Sequence, residues 1–129
     1  MINLPEGSEL LLIARKTLLD ELAPLLGEEA KYTVAMIANA MAIATREAEG
    51  GEAPALAALA RFDRIYGIAP RELHGEALRR ELVTQDQRLA EDIRSGCFDA
   101  DEEKRRAVFD HLRETVVARL RISNPKSLP

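Results

Sequence analysis

The chain has 129 residues, 47% hydrophobic and 31% charged, with a net charge of −4 and a pI near 5.3. That length fits one soluble domain with a real core, and the acidic balance argues against holding nucleic acid by bulk electrostatics, because such domains carry a basic face. A single cysteine, Cys97, excludes an internal disulfide and leaves the cytoplasm as the expected compartment.

No apolar run approaches the roughly 18 residues of a membrane span, and the opening MINLPEGSE lacks the basic-then-apolar order of a signal peptide. The chain is therefore expected neither to be exported nor to cross a membrane. Ser8 is placed to cap a first helix. Leu11, Arg15, Leu18, Leu22 and Leu25 then recur at steps of four and three, with Leu12, Leu19 and Leu26 beside them, which predicts a core-facing helix. Pro24 crowds the carbonyl of Asp20 and removes one ladder bond, so this helix kinks or breaks before Gly27.

The stretch 28–49 is expected to be the central helix, antiparallel to the first. Val34, Ile37, Met41 and Ala48 form one apolar stripe, and Met36, Ala40, Ile43 and Ala44 form another beside it. Two stripes predict burial on more than one side, and the many alanines let neighbouring backbones come close. Gly50-Gly51 ends the helix, and a third helix is predicted over 54–66, with Pro54 in its first turn and Gly67 as its stop. Residues 68–75 read as a connector with a short turn. A fourth segment starts near Glu76 and runs to Ser95-Gly96; Thr84 with Gln87 three residues on has the pattern of a capping box that splits it in two. Asp99 is the expected cap of the last helix, whose stripe is Val108, Leu112, Val116 and Leu120 with Phe109 alongside, and Asn124-Pro125 stops it. With no strand pattern and no internal repeat, the fold class is all-α, a single-domain bundle of about five helices around the central one.

Chemistry is sparse. The histidines, His74 and His111, stand far apart without HxxxH, HExxH or paired cysteines, so no metal is expected, and ExxH pairs for a di-iron bundle are missing. Nothing in sequence sets His111 against Cys97, which reads as a half-buried small apolar residue, and no catalytic residue is assigned. Gly50-Gly51 leads to no Lys-Ser/Thr step and GxGxxG is absent, so neither a phosphate loop nor a cofactor is indicated. Arg79-Arg80 and Lys104-Arg105-Arg106 are interleaved with glutamates and read as solvated helix faces. What remains is a polar line along the central helix, where Tyr32, Met36, Asn39, Ile43 and Arg46 follow at steps of three and four, with Glu47 beside them. Asn39, Arg46 and Glu47 can converge with Tyr32 on a carboxylate or phosphate; equally, Asn39 can be a buried tie between helices and Arg46 and Glu47 a helix-end ion pair.

The segments ANAMAIATRE, 38–47, and RISNPKSL, 121–128, resemble a bacterial family of small helical proteins that is itself a domain of unknown function. The resemblance spans 10–128, and it departs at Ser127, where the family pattern has an aromatic residue. It points by position to Asn39, Arg46, Glu47, Asn124 and Pro125, and implies association with aminoglycoside-phosphotransferase-like kinases and acyl-CoA dehydrogenases encoded nearby, but no activity. Two readings follow. One is a non-catalytic accessory module that docks on a kinase-like or acyl-CoA dehydrogenase partner and self-associates as a homo-oligomer through a helix face. The other is a small-ligand or catalytic protein for an acyl or phosphorylated substrate. Whether the polar residues share a concave pocket discriminates between them.

Overall fold

The computed structural model describes residues 3–129, so the first two residues of the opening segment lie outside the described ones. The described residues form five α-helices and no strand, as the apolar periodicity predicts. They are α1 (Gly7–Thr17), α2 (Lys31–Gly50), α3 (Ala53–Tyr66), α4 (Gly75–Arg94) and α5 (Glu102–Ser123), joined by short turns. Backbone contacts divide the chain into two compact units, 1–51 and 52–129.

The first unit is a hairpin of α1 and α2. Ser8 is not its cap: Glu6, two residues earlier, holds that position, and its N–H donates to Glu9 Oε2 at 3.0 Å. Glutamate reaches back over a full turn, which the shorter serine side chain does not. Pro24 acts as expected. The backbone loosens into a π-helical turn (Leu18–Leu22), with Ala23 N–H donating to the Leu18 carbonyl five residues back, then tightens into a 3-10 turn (Ala23–Leu25) that contains the proline. A second 3-10 turn (Glu28–Ala30) leads into α2. Arg15 then reaches across to the Ala38 carbonyl, Nε donating at 3.0 Å, and Ala38 itself is buried. A methyl at that position is what allows so close a crossing.

Burial of α2 is narrower than two stripes imply. Only Val34, Ala38 and Thr45, on one line, are buried, whereas Met36 and Ile37 are 52% and 42% exposed. Asn39 is exposed as well, which removes its reading as a buried tie. Within this unit α1 packs on the buried line of α2, while Ala35 and Ala40 are exposed and Ala42 and Ala44 half-buried.

In the second unit α3 packs against both α4 and α5. Phe62, Ile65, Leu89, Phe98 and Val108 form the core, with Tyr66 and Leu82 against it. Gly67, at φ +63, ends α3 and donates to the Asp63 carbonyl. The connector 68–74 has no regular structure, and its anchor is Arg71. Arg71 Nε and Nη2 both donate to Oδ1 of the buried Asp63, at 3.2 and 3.0 Å, while Nη2 also lies 2.8 Å from Glu81 Oε1. Gln85 Nε2 donates to the same Glu81 oxygen at 2.6 Å. The Gln85 amide first, and Arg71 with it, hold the Glu81 carboxyl below its ordinary range. At the start of α4, Gly75 has φ +57 and its N–H donates to Glu52 Oε1 at 2.5 Å. Any side chain there would strain this turn.

Three expectations are corrected here. Thr84 does not split α4, which is continuous; its hydroxyl donates to the Arg80 carbonyl at 3.1 Å, the back-bond by which threonine is accommodated inside a helix. Asp101, not Asp99, caps α5, accepting from Lys104 N–H at 3.0 Å. Most consequentially, α5 turns a different face inward. Val108 and His111 are buried, Thr115 and Ala118 follow on the same side, and Phe109, Leu112 and Val116 are 72%, 43% and 55% exposed.

Removing one partner of a buried charge leaves the other uncompensated, so Arg71→Ala should destabilise the chain by about 3 kcal/mol. Arg71→Lys should restore only part of this, since an ammonium lacks the fork that spans Asp63 and Glu81. Urea unfolding followed by circular dichroism reads both; a loss under about 0.5 kcal/mol for Arg71→Ala would show that Asp63 needs no counter-charge.

Candidate functional site

The polar line of α2 does not close on a small ligand. Tyr32 and Arg46 are fourteen residues apart on one straight helix, about 21 Å at 1.5 Å per residue. Tyr32 is 76% exposed, Asn39 and Glu47 are exposed, and Arg46 is half-buried. Asn124 lies in the other unit, at the C-terminus of α5, where its Nδ2 donates to Ser127 Oγ at 2.6 Å. That contact links the helix end to the closing 3-10 turn (Pro125–Ser127), and gives the family-like Asn-Pro segment a local structural use.

A different cluster does converge. In the second unit a cavity of about 190 Å³ opens between α3, α4 and α5, floored by apolar groups such as Ala58, Phe62 and Ile122. Its polar lining is Arg61 from α3, Asp86 from α4, and His111, Thr115 and Arg119 from α5. His111 is 2% exposed and its ring lies against Phe62, with centroids 4.2 Å apart. Arg61 Nε donates to His111 Nδ1 at 3.3 Å. Because a guanidinium only donates, Nδ1 must accept, which leaves the ring hydrogen on Nε2. Burial first, and then the Arg61 charge, pull the His111 pKa below 6.5, with Asp86 opposing, so the imidazole is neutral. Burial likewise lowers the Arg61 pKa, with Glu114 nearby acting to raise it. Thr115 Oγ1 is buried with no hydrogen-bond partner, an arrangement that costs about 1–3 kcal/mol unless something in the cavity meets it.

These residues were not singled out as a site from sequence, although the signal was there. Val108, His111, Thr115, Ala118 and Ile122 follow at helical steps, yet a search for leucine and valine finds Val108, Leu112, Val116 and Leu120 first. Cys97, expected half-buried, is exposed and sits 3.7 Å from Asp92 Oδ1 and 3.2 Å from Ser95 Oγ. Next to it the Tyr66 hydroxyl donates to Asp92 Oδ2 at 2.8 Å, and Arg88 lies over the Tyr66 ring at 3.7 Å. Burial and the Asp92 carboxylate push the phenol pKa up, so the Tyr66 hydroxyl stays protonated and ties α3 to α4. No group of three metal-ligating side chains is found among the described residues, and no helix among them is long and apolar enough to cross a membrane.

Compared with known proteins, residues 24–127 match a family described as Domain of unknown function (DUF6285). No curated protein and no solved structure matches the chain.

Two outcomes follow from this geometry. As pH falls below 6.5 the unfolded chain binds a proton that folded His111, with its lowered pKa, does not yet bind. Stability should therefore be constant above that value, decline below it, and level off once the folded imidazole is protonated too. His111→Gln should flatten this region of a melting-temperature profile, separately from the carboxylate range near 4.5 where Glu52 and Glu81 act in the same direction. An unchanged slope in that variant would mean His111 is not the group responsible. Exposed Asn39, for its part, should tolerate Asn39→Leu within about 0.5 kcal/mol in a denaturant titration.

Proposed function

We propose, for a chain that belongs to the DUF6285 family, that it is a non-catalytic accessory module acting in the cytoplasm of a bacterial cell, with its α1–α2 hairpin as the docking element. One observation carries this reading. The hairpin buries only Val34 and Ala38 among its apolar side chains, while Leu10, Ile13, Leu25, Met36 and Ile37 are between 42% and 80% exposed. Two helices alone cannot enclose a core of their own apolar groups, and exposed apolar side chains in such number are what association uses. Amphipathic helices of this sort seat in grooves or pair with copies of themselves.

The family match, 24–127, crosses the boundary at 51 and takes in α2 with the three-helix unit, which supports a role in which α2 and that unit serve one function. On this reading the partners are a second copy of the chain and a kinase-like or acyl-CoA dehydrogenase protein. Exposed Tyr32, with a large amphipathic ring, and Asn39 and Glu47 along the same helix supply the polar rim of such an interface. Arg46 lies on the same helix, and Asn124, the other family-like residue, belongs to the three-helix unit.

A charge placed in the apolar face tests this. Ile13→Glu with Met36→Glu should leave the melting temperature within a few degrees, because both side chains are half exposed already. It should abolish self-association in light scattering and co-purification with an acyl-CoA dehydrogenase or kinase-like protein expressed alongside. A wild-type chain that is monomeric and retains neither enzyme, or a double variant that unfolds, would refute the docking role.

A further inference from the structure

From the lining of the cavity between α3, α4 and α5, we infer that the second unit holds a binding site for a small organic carboxylate with a short apolar body. This goes beyond the docking role of the hairpin and rests on different residues. Three features of the cavity select that ligand class.

Charge comes first. Arg61 and Arg119 bring two positive groups to the cavity lining and Asp86 one negative group, with Glu114 acting on Arg61 from outside the lining, a balance that suits no more than a monoanion. A phosphate dianion gains less, because Asp86 opposes its second charge. The guanidinium of Arg119, exposed at the rim, and that of Arg61, half-buried, present the planar forks that carboxylates accept.

Hydrogen bonding comes second. Thr115 Oγ1 is buried, lines the cavity and has no partner. His111 spends Nδ1 on Arg61 and keeps its hydrogen on Nε2. The cavity thus holds a hydroxyl that lacks a partner beside an imidazole with a donor to offer, and a carboxylate oxygen accepts from both types of group. Arg61 at the same time fixes the ring, so His111 acts here as a binding and positioning group.

Size comes third. The floor is hydrocarbon, and the volume of about 190 Å³ exceeds the roughly 150 Å³ known to admit benzene. A body of about six carbon atoms fills such a space.

The experiment is a titration of the ¹⁵N-labelled full chain with benzoate and hexanoate, and with hexanol and inorganic phosphate as comparisons. Saturable shifts confined to the amides around residues 58–62, 86 and 111–119 are expected with the carboxylates, and none of that pattern with the alcohol or phosphate. Arg119→Gln, at an exposed position, should weaken binding about tenfold, and Thr115→Val should weaken it by a smaller factor, both keeping the melting temperature within a few degrees. Absence of shifts with both carboxylates would overturn the assignment, as would equal binding of hexanol, tighter binding of phosphate, or full affinity retained by Arg119→Gln.

Discussion

Everything in the three-helix unit turns on where His111 sits. Its ring packs on Phe62 at 4.2 Å and accepts from Arg61 at 3.3 Å, and these two residues are neighbours on α3. One imidazole therefore meets an apolar and a cationic partner at once, and both contacts draw the same face of α5 inward. Burying a histidine is costly unless it is neutral and hydrogen-bonded, and both conditions are met here. With His111 inside, Thr115 and Ala118 must follow, and the stronger stripe of Phe109, Leu112 and Val116 is turned to solvent. The cavity is a consequence of that choice, since small residues such as Ala58 and Ala118 leave unfilled volume where leucines would have closed it.

The other buried polar groups of this unit serve to fix an irregular segment. Asp63 is 5% exposed and would be a lone charge without Arg71. By binding Asp63 on α3 and Glu81 on α4 with one guanidinium, Arg71 pins the connector to both helices. Gln85 donates to the same Glu81 oxygen that Arg71 meets, although its own Oε1 is left without a partner. The network exchanges backbone regularity for side-chain pairing, which a segment interrupted by Pro70 requires.

The hairpin shows the opposite solution. Its pairing relies on close approach at Ala38 and on the Arg15 side chain crossing to a backbone carbonyl, with little enclosed hydrocarbon. Helical propensity from its many alanines keeps α2 formed without deep burial, so its surface stays available. Apolar side chains at Leu12, Ile13, Met36 and Ile37 are then a property of the surface rather than of a core.

Much of this was legible in the residues. Five helices, the break at Pro24, the stops at Gly67 and Asn124, and the irregular connector all follow from local rules, because φ preference, missing donors and 3.6-residue periodicity act within a few residues of one another. What the sequence by itself determined is thus which segments are helical and where most of them stop, although α1 gives way at Leu18, six residues before Pro24, and α4 runs unbroken through Thr84. Which face points inward was decided only by tertiary structure: α2 and α5 each carry more apolar surface than one neighbour can cover, and the choice among faces depends on partners distant in the chain. Asn39 came out exposed and His111 buried for that reason. The Arg61–His111–Thr115 cluster joins residues about fifty positions apart, and no periodicity within one helix encodes such a meeting.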